Sequence, residues 1–427
     1  MKITIVGGCG RLGLSMAVVS AQRGGHDVIC ADINEEAIDS VNVGGCPISE
    51  NGVINRLKAF ADGYCQGSLK ASVNIAEACA WAEMIFITVP TPSLDSGRFD
   101  ISSILIACQD IGRAIKTAGR KTIVLVSTVN PGDCEEHIIP TLEVVCQGKV
   151  GENFGFVYSP EFIRQGSIMH DFQNPDIVLI GQHDMMAGNA AWRYYSTILE
   201  NIPKFFRMNL INAEITKLGL NTALVAKLAM ANQITWLCHK TKGADAEKVL
   251  EAIGTDGRIG NRFFSPGLPP GGPCLPRDAK AFQKANYHVY SCSEFSGALS
   301  RAWCFEINAL ADEIWRLANP EDGVAILGMT YKTGVDIEEE SAGARLRKHL
   351  LLDERENLCA FDPMTDCYGA WSYVIDLSKV LVITTPHEFF KELEEMDLTG
   401  KIVFDCWGLL DEDKLNCDKY IRLGRGE

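Results

Sequence analysis

Lys2-Ile-Thr-Ile-Val-Gly-Gly-Cys-Gly-Arg-Leu-Gly13 decides how the rest of the chain is read. Its first five residues form a short apolar strand. Gly8, Gly10 and Gly13 follow at once as GxGxxG, and residues 14–20 are small and apolar, as in a helix packed against a sheet. Glycines in that strand–turn–helix setting let a pyrophosphate reach the helix N-terminus, where unpaired N–H groups and the helix dipole favour negative charge. A second strand, Asp27-Val-Ile-Cys-Ala31, runs into Asp32, nineteen residues past Gly13. A carboxylate there hydrogen-bonds an adenosine ribose diol and repels a 2′-phosphate, which points to NAD over NADP.

Further strand-then-helix units follow. Met84-Ile-Phe-Ile-Thr-Val89 is closed by Pro90-Thr-Pro92, and Thr122-Ile-Val-Leu-Val126 ends in Ser127-Thr128. Phe156-Val-Tyr158 leads into Ser159-Pro-Glu-Phe-Ile-Arg-Gln-Gly166. Ligands of a doubly wound sheet bind outside the carboxyl ends of its strands. Thr91, Thr128 and Glu161 stand at such ends, where each is either a crevice residue or a plain turn or cap residue.

Composition narrows the partners. The 427 residues suffice for about three domains at ~150 each. With 47% hydrophobic and 22% charged residues the chain reads as an ordinary soluble globular protein. A net charge of −15 argues against nucleic acid or an anionic membrane as partner, and an anionic substrate then needs a local positive pocket. No signal peptide is seen, and no apolar run approaches the ~18 residues of a membrane span. Sixteen cysteines are scattered without CxxC pairs or metal-like spacing, so they read as reduced thiols of a cytoplasmic protein with no metal site.

Near Asn212 the character changes. Residues 212–242 carry few breakers and predict one long helix, capped by Asn212 with Glu214 in its first turn. Lys217, Asn221, Leu224, Val225 and Leu228 share a face. A lysine on an apolar stripe is either a ligand or catalytic group, or an edge residue with its head in water. A long apolar helix at mid-chain is also a candidate dimer interface. Beyond it, Gly271-Gly-Pro-Cys-Leu-Pro-Arg-Asp278 sets Cys274 in a glycine- and proline-rich loop. Arg277 would favour its thiolate and Asp278 could accept a proton, or the loop is structural and the cysteine merely buried. From about Gly323 a second α/β unit echoes the first. Val324–Gly328 parallels Ile3–Gly7, Cys359–Asp362 parallels Ile29–Asp32, and Val382–Pro386 parallels Phe86–Pro90. It lacks GxGxxG and has Thr330-Tyr-Lys332 at the matching turn, where Lys332 could hold a phosphate by charge. The expected architecture is α/β: two Rossmann-like doubly wound parallel-sheet domains, 1–205 and 301–427, flanking a helical central domain, 206–300, that carries Lys217, Asn221 and Cys274.

These segments occur together, in this order, in the UDP-glucose/GDP-mannose dehydrogenase family, which the chain resembles over nearly its whole length. The carrying residues are the Gly8–Gly13 turn with Asp32, Val89-Pro-Thr-Pro92, Ser127-Thr128-Val129 and Ser159-Pro-Glu-Phe162. Further on come Ala213-Glu-Ile-Thr-Lys217 with Asn221, Arg258-Ile-Gly260 sixteen residues before Cys274, then Gly271-Gly272, Asp278, Tyr331-Lys332 and Phe361-Asp-Pro363. The resemblance implies oxidation of a primary alcohol on a nucleotide sugar to a carboxylate, with two NAD reduced in one active site. By resemblance Cys274 is the nucleophile, Lys217 steadies the alkoxide or oxyanion, and Asp278 is a general base acting through a water held by Thr128 and Asn221. Glu161 positions or activates the hydrolytic water. The cofactor set is Gly8, Gly10, Arg11, Leu12, Gly13, Asp32, Pro90, Thr91, Ser127, Thr128, Gln165 and Arg277. The substrate set is Glu161, Phe162, Ile163, Arg164, Lys217, Asn221, Arg258, Gly271 and Lys332. Arg258, in this family, reaches the nucleotide of a neighbouring subunit, which implies a homodimer or higher oligomer through the central helix.

Four positions depart from the family pattern. Gln165 stands where a glutamate is common and cannot act as a base. Asp336-Ile-Glu-Glu-Glu-Ser341 has Glu339 in a stretch that commonly carries an arginine. Trp407 follows the strand after which many such enzymes place arginine, and Arg277 replaces a more usual lysine with its charge kept. Nucleotide and sugar choice is where these changes bear. UDP-glucose leads, with GDP-mannose, a UDP-N-acetylhexosamine or a dTDP-sugar as alternatives. A two-electron hydroxyacid dehydrogenase and a non-catalytic NAD-binding regulator are the competing classes.

Overall fold

In the computed structural model, residues 1–285, 290–352, 357–366 and 368–426 are described. They form two compact units, Met1–Leu218 and Gly219–Glu427.

The first unit is built on eight strands: β1 (Lys2–Val6), β2 (Asp27–Ala31), β3 (Ser68–Ser72), β4 (Met84–Ile87), β5 (Lys121–Leu125), β6 (Phe154–Tyr158), β7 (Ile177–Gln182) and β8 (Lys204–Met208). Their order is β3-β2-β1-β4-β5-β6-β7-β8, and every neighbouring pair is parallel except β6 against β7. Every residue of β4 and β6 is buried, as the inner strands of a sheet covered on both faces must be. Two apolar layers flank the sheet. One includes Leu14, Val18, Tyr194 and Tyr195, and the other Ile104, Ile111, Leu142 and Leu210.

The second unit carries β9 (Val324–Leu327), β10 (Leu358–Phe361), β11 (Val380–Ile383), β12 (Asp397–Asp405) and β13 (Asn416–Arg422). They lie in the order β10-β9-β11-β12-β13, all parallel. The expected echo extends to single atoms. Gly7 and Gly328 both have positive φ, at 80° and 104°. Thr88 Oγ1 donates to the carbonyls of Val6 and Gly7, as Thr384 Oγ1 does to those of Leu327 and Gly328. A Cβ on Gly13 would stand 2.4 Å from the Gly7 oxygen, and one on Gly343 2.2 Å from the Gly328 oxygen.

The two units part at the aspartate closing the second strand. Asp32 is half-buried and accepts from the Cys9 and Asn34 amides. Asp362 is 1% exposed. One of its oxygens takes the Met329 and Thr330 amides and the Thr330 hydroxyl, and the other takes the Met364 amide. The short glycine turn of the first unit is replaced in the second by residues 329–341, whose Ser341 hydroxyl caps the helix Ala342–Leu352.

The long helix spans Leu210–His239. It begins two residues earlier than expected, and Asn212 is not its cap. The Asn209 side chain accepts the Asn212 amide at 3.1 Å and fills that role. Among the described residues no helix is long and apolar enough to cross a membrane.

Candidate active site

In the first unit the turn after β1 is shaped by contact. The Gly7 and Gly8 amides donate to the Ala31 carbonyl at 2.9 and 3.2 Å, drawing the turn onto β2. A Cβ on Gly8 would stand 2.6 Å from both the Cys30 Cα and the Ile5 oxygen. Gly10 differs: a Cβ there would meet only the Gly7 oxygen, at 3.5 Å, and the residue is exposed. Gly10 precedes the helix Arg11–Gln22, whose N-terminus has no side-chain cap. This is a cradle open on the side where a diphosphate must approach, with Asp32 at the neighbouring strand end, and it fits a dinucleotide. Arg11 Nη1 reaches the Ser49 carbonyl and Gln165 Oε1, at 3.3 and 3.4 Å. Leu12 is half-buried and Pro90 exposed. Thr91 and Ser127 are buried, and the Ser127 hydroxyl donates to the Val89 carbonyl at 2.6 Å, tying the end of β5 to that of β4. Thr128 is half-buried beside it.

The same unit holds a half-buried acid beside a buried base. Lys217 is 7% exposed, so its head is not in bulk water. Its ammonium donates to the Glu161 carbonyl at 2.8 Å and lies 4.8 Å over the Phe162 ring. The Glu161 carboxylate accepts from the Tyr195 hydroxyl at 2.8 Å. Burial pushes the Glu161 carboxyl up to about 7, and the Tyr195 bond and the Lys217 charge only partly oppose that. Arg164 is held away by Asp171, which accepts from its Nε and Nη2 at 3.0 and 2.7 Å. Ile163 packs at the edge of the first apolar layer.

In the second unit Cys274 immediately precedes the helix Leu275–Ala285, and its carbonyl accepts the Asp278 amide at 2.9 Å. Cys274 therefore stands at a helix N-terminus by its backbone. Asp278 is fully buried. Asn221 Nδ2 donates to its Oδ2 at 2.6 Å, and Arg277 Nε approaches its Oδ1 at 3.3 Å.

The glycines ahead of Cys274 are needed by the protein itself. A Cβ on Gly272 would fall 2.7 Å from the Tyr331 ring, and one on Gly271 would lie 2.8 Å from the Glu340 oxygen. The Gly272 amide donates to the Glu339 carbonyl at 2.8 Å. The loop at 329–341, with half-buried Lys332, thus clasps the cysteine loop. Trp407 has a comparable part: its ring occupies the space a Cβ on Gly267 would need, and its Nε1 donates to the Thr384 carbonyl. Arg258 is exposed and paired with Asp256, its Nη2 2.6 Å from Oδ2. Lys227 went unread in the sequence. Its ammonium donates to the Ile259, Gly260 and Arg262 carbonyls and holds the Arg258 loop. Tyr195 also escaped, because it falls in an ordinary amphipathic helix, Met185–Ile198, where its apolar ring reads as core.

Residues 1–199 match the NAD binding domain of the UDP-glucose/GDP-mannose dehydrogenase family, and residues 211–296 match that family's central domain. The chain belongs to this family. It is 32% identical to a UDP-glucose 6-dehydrogenase of Rickettsia bellii, with 97% of each chain covered. It is 31% identical to a GDP-mannose 6-dehydrogenase of Azotobacter vinelandii, over 96% of this chain and 98% of that one. A solved UDP-glucose dehydrogenase from Pyrobaculum islandicum superposes with a TM-score of 0.87 at 27% identity, covering 99% and 97% of the two chains. Family members are NAD-dependent nucleotide-sugar dehydrogenases, and NAD is the cofactor. The relatives' names divide between two sugars, so membership leaves the sugar open.

Proposed function

We propose that this protein oxidises the C6 alcohol of a nucleotide sugar to the carboxylate, with UDP-glucose giving UDP-glucuronate as the leading reaction. The reading is carried by the buried Asn221–Asp278 pair, with half-buried Arg277 beside it, one helical turn from Cys274. Such a cluster beside a helix-terminal cysteine is costly to build for structure alone.

NAD bound at the first turn supplies the hydride acceptor for each of two oxidations. Asp278 takes the proton of the C6 hydroxyl through a water held by Thr128 and Asn221, and Lys217 steadies the developing negative oxygen. A positioned cation of that kind contributes about 3 kcal/mol to the barrier. The Cys274 thiolate adds to the resulting aldehyde carbon and forms a thiohemiacetal that keeps one C–H bond. Loss of that hydrogen as hydride gives a thioester. Glu161 in its ionised form takes a proton from water, the hydroxide adds to the thioester carbonyl, and the thiolate leaves as carboxylate forms. Lys332 meets the nucleotide by charge, and Arg258 meets that of a neighbouring subunit. Exposed Ile215, Met230 and Leu237 along the long helix support assembly as a homodimer or larger homo-oligomer.

The test is NADH formed per sugar consumed across UDP-glucose, GDP-mannose, UDP-N-acetylhexosamines and dTDP-glucose. The expected ratio is two, with UDP-glucose the best substrate, and Cys274→Ala should make no acid. A ratio of one would point to a hydroxyacid-type dehydrogenase, and acid formation by the alanine variant at the parent rate would remove the covalent route.

A further inference from the structure

Behind Glu161 lies a chain of two hydroxyl groups, ending on a backbone carbonyl, that the reaction above does not use. Tyr195, 2% exposed, donates to Glu161 Oε1 at 2.8 Å. Its oxygen is 2.8 Å from the Ser159 hydroxyl, and that hydroxyl, 1% exposed, donates to the Leu179 carbonyl at 2.7 Å. The Tyr195 ring is fixed edge-on against Tyr194 and Phe172, with centroids 5.2 and 6.3 Å away, so the phenol has little freedom to leave. The groups facing the Glu161 carboxyl are Tyr195 and Tyr194 from the helix Met185–Ile198 and Lys217 from the long helix. Lys217 gives its hydrogen bond to the backbone oxygen of Glu161 and acts on the carboxyl through space.

We infer that Tyr195, backed by Ser159, is a positioning residue that sets the pH at which Glu161 gains and loses its proton. The inference rests on the role proposed above for Glu161. With Glu161 ionised, Tyr195 donates to it and Ser159 donates to Leu179. When Glu161 is protonated, its O–H points to Tyr195, the phenol turns to Ser159, and Ser159 still donates to Leu179. Each hydroxyl keeps an acceptor in both states, so a buried carboxyl can change charge without stranding a neighbour. The two partners act in opposite senses. The phenol stabilises the carboxylate, and the serine oxygen, as the phenol's alternative acceptor, stabilises the neutral acid.

The experiment is the dependence of kcat on pH for the full-length protein with NAD and its best nucleotide sugar. Glu161 is needed ionised, so kcat in the parent should rise with pH through about 7. Tyr195→Phe removes one oxygen and should move that limb up by about one pH unit, an about tenfold loss at pH 6 with KM little changed. Ser159→Ala should move the limb down, and it serves alone if the phenylalanine variant does not fold. A limb unmoved in Tyr195→Phe, or displaced the same way in both variants, overturns the relay. Glu161→Gln separates the two readings: if the parent's limb persists there, the assignment of Glu161 fails, whatever Tyr195 does.

Discussion

Gly10 and Gly13 stand three residues apart in one motif and answer to different constraints. At Gly13 an added methyl would press on the backbone oxygen of Gly7 and on the Gly8 Cα at 2.9 Å, neither of which can give way cheaply. At Gly10 it would meet little protein. Gly13→Ala is therefore expected to lower the unfolding temperature by several degrees. Gly10→Ala should leave the fold intact and weaken NAD at least tenfold, as calorimetric titration would show. Asp32→Ala should narrow the preference for NAD over NADP, read from the two kcat/KM values; an unchanged ratio would dissociate Asp32 from the ribose. At this scale the glycines of the first turn were legible because a tight turn admits few residue types. The burial of Lys217 was half legible: its face could be read from spacing, but not the carbonyl and ring that receive its head. Tyr195 was illegible, because a phenol's partner is chosen by tertiary packing and leaves no trace in periodicity.

Among the elements, Glu214 shows how the long helix is anchored to the sheet unit. It is 1% exposed, and its two carboxylate oxygens accept the Gly132 amide at 2.6 Å and the Cys134 amide at 2.9 Å, at the start of the helical residues 134–146. A carboxylate at a helix N-terminus satisfies orphan donors and meets the positive end of the dipole. Glu214→Ala strands two N–H groups and should cost about 2–4 kcal/mol, with faster hydrogen exchange at amides 132 and 134. Glu214→Gln should cost less, since it keeps one acceptor. Strands β1, β2, β9 and β11 could be read from the sequence because both faces are buried and, apart from Lys2, Thr4 and Asp27, their residues are apolar. β3, β8 and β13 could not. Their sequences, Ser-Leu-Lys-Ala-Ser, Lys-Phe-Phe-Arg-Met and Asn-Cys-Asp-Lys-Tyr-Ile-Arg, are polar enough to pass for loops, and β3, β8 and β13 are sheet edges, where only one neighbour and partial burial are required. Asn212 was read as a cap from its residue type; Asn209, with the same chemistry three residues earlier, has it.

For the whole molecule, each unit encloses a carboxyl raised to about 7, Glu161 in the first and Glu306 in the second. Glu306 is raised by burial. Asn232 donates to its Oε2 at 2.8 Å, and that bond, the Gln233 side chain and the Arg345 charge only partly oppose the rise. The fold binds this proton more tightly than the unfolded chain does. The contribution to stability is full below the ordinary glutamate value and is lost as pH rises through about 7. Glu306→Gln should thus raise the unfolding temperature at pH 8, corresponding to on the order of 1–3 kcal/mol, and change little at pH 4. An equal effect at both values would show that charge is not the cause.

The plan of two related sheets was visible in the repeated strand sequences, but the different fate of the second aspartate was not. Asp362, 1% exposed, accepts backbone amides on both oxygens and the Thr330 hydroxyl on one of them, so it is spent on its own loop, whereas half-buried Asp32 carries a single amide on each oxygen. The four-electron oxidation proposed above would then run in two shifts at the turn after β1, with the loaded carrier departing and a fresh one docking between them. On that proposal the half-oxidised sugar would stay moored throughout the exchange, and a bond to the Cys274 sulfur is the mooring that would survive an open door.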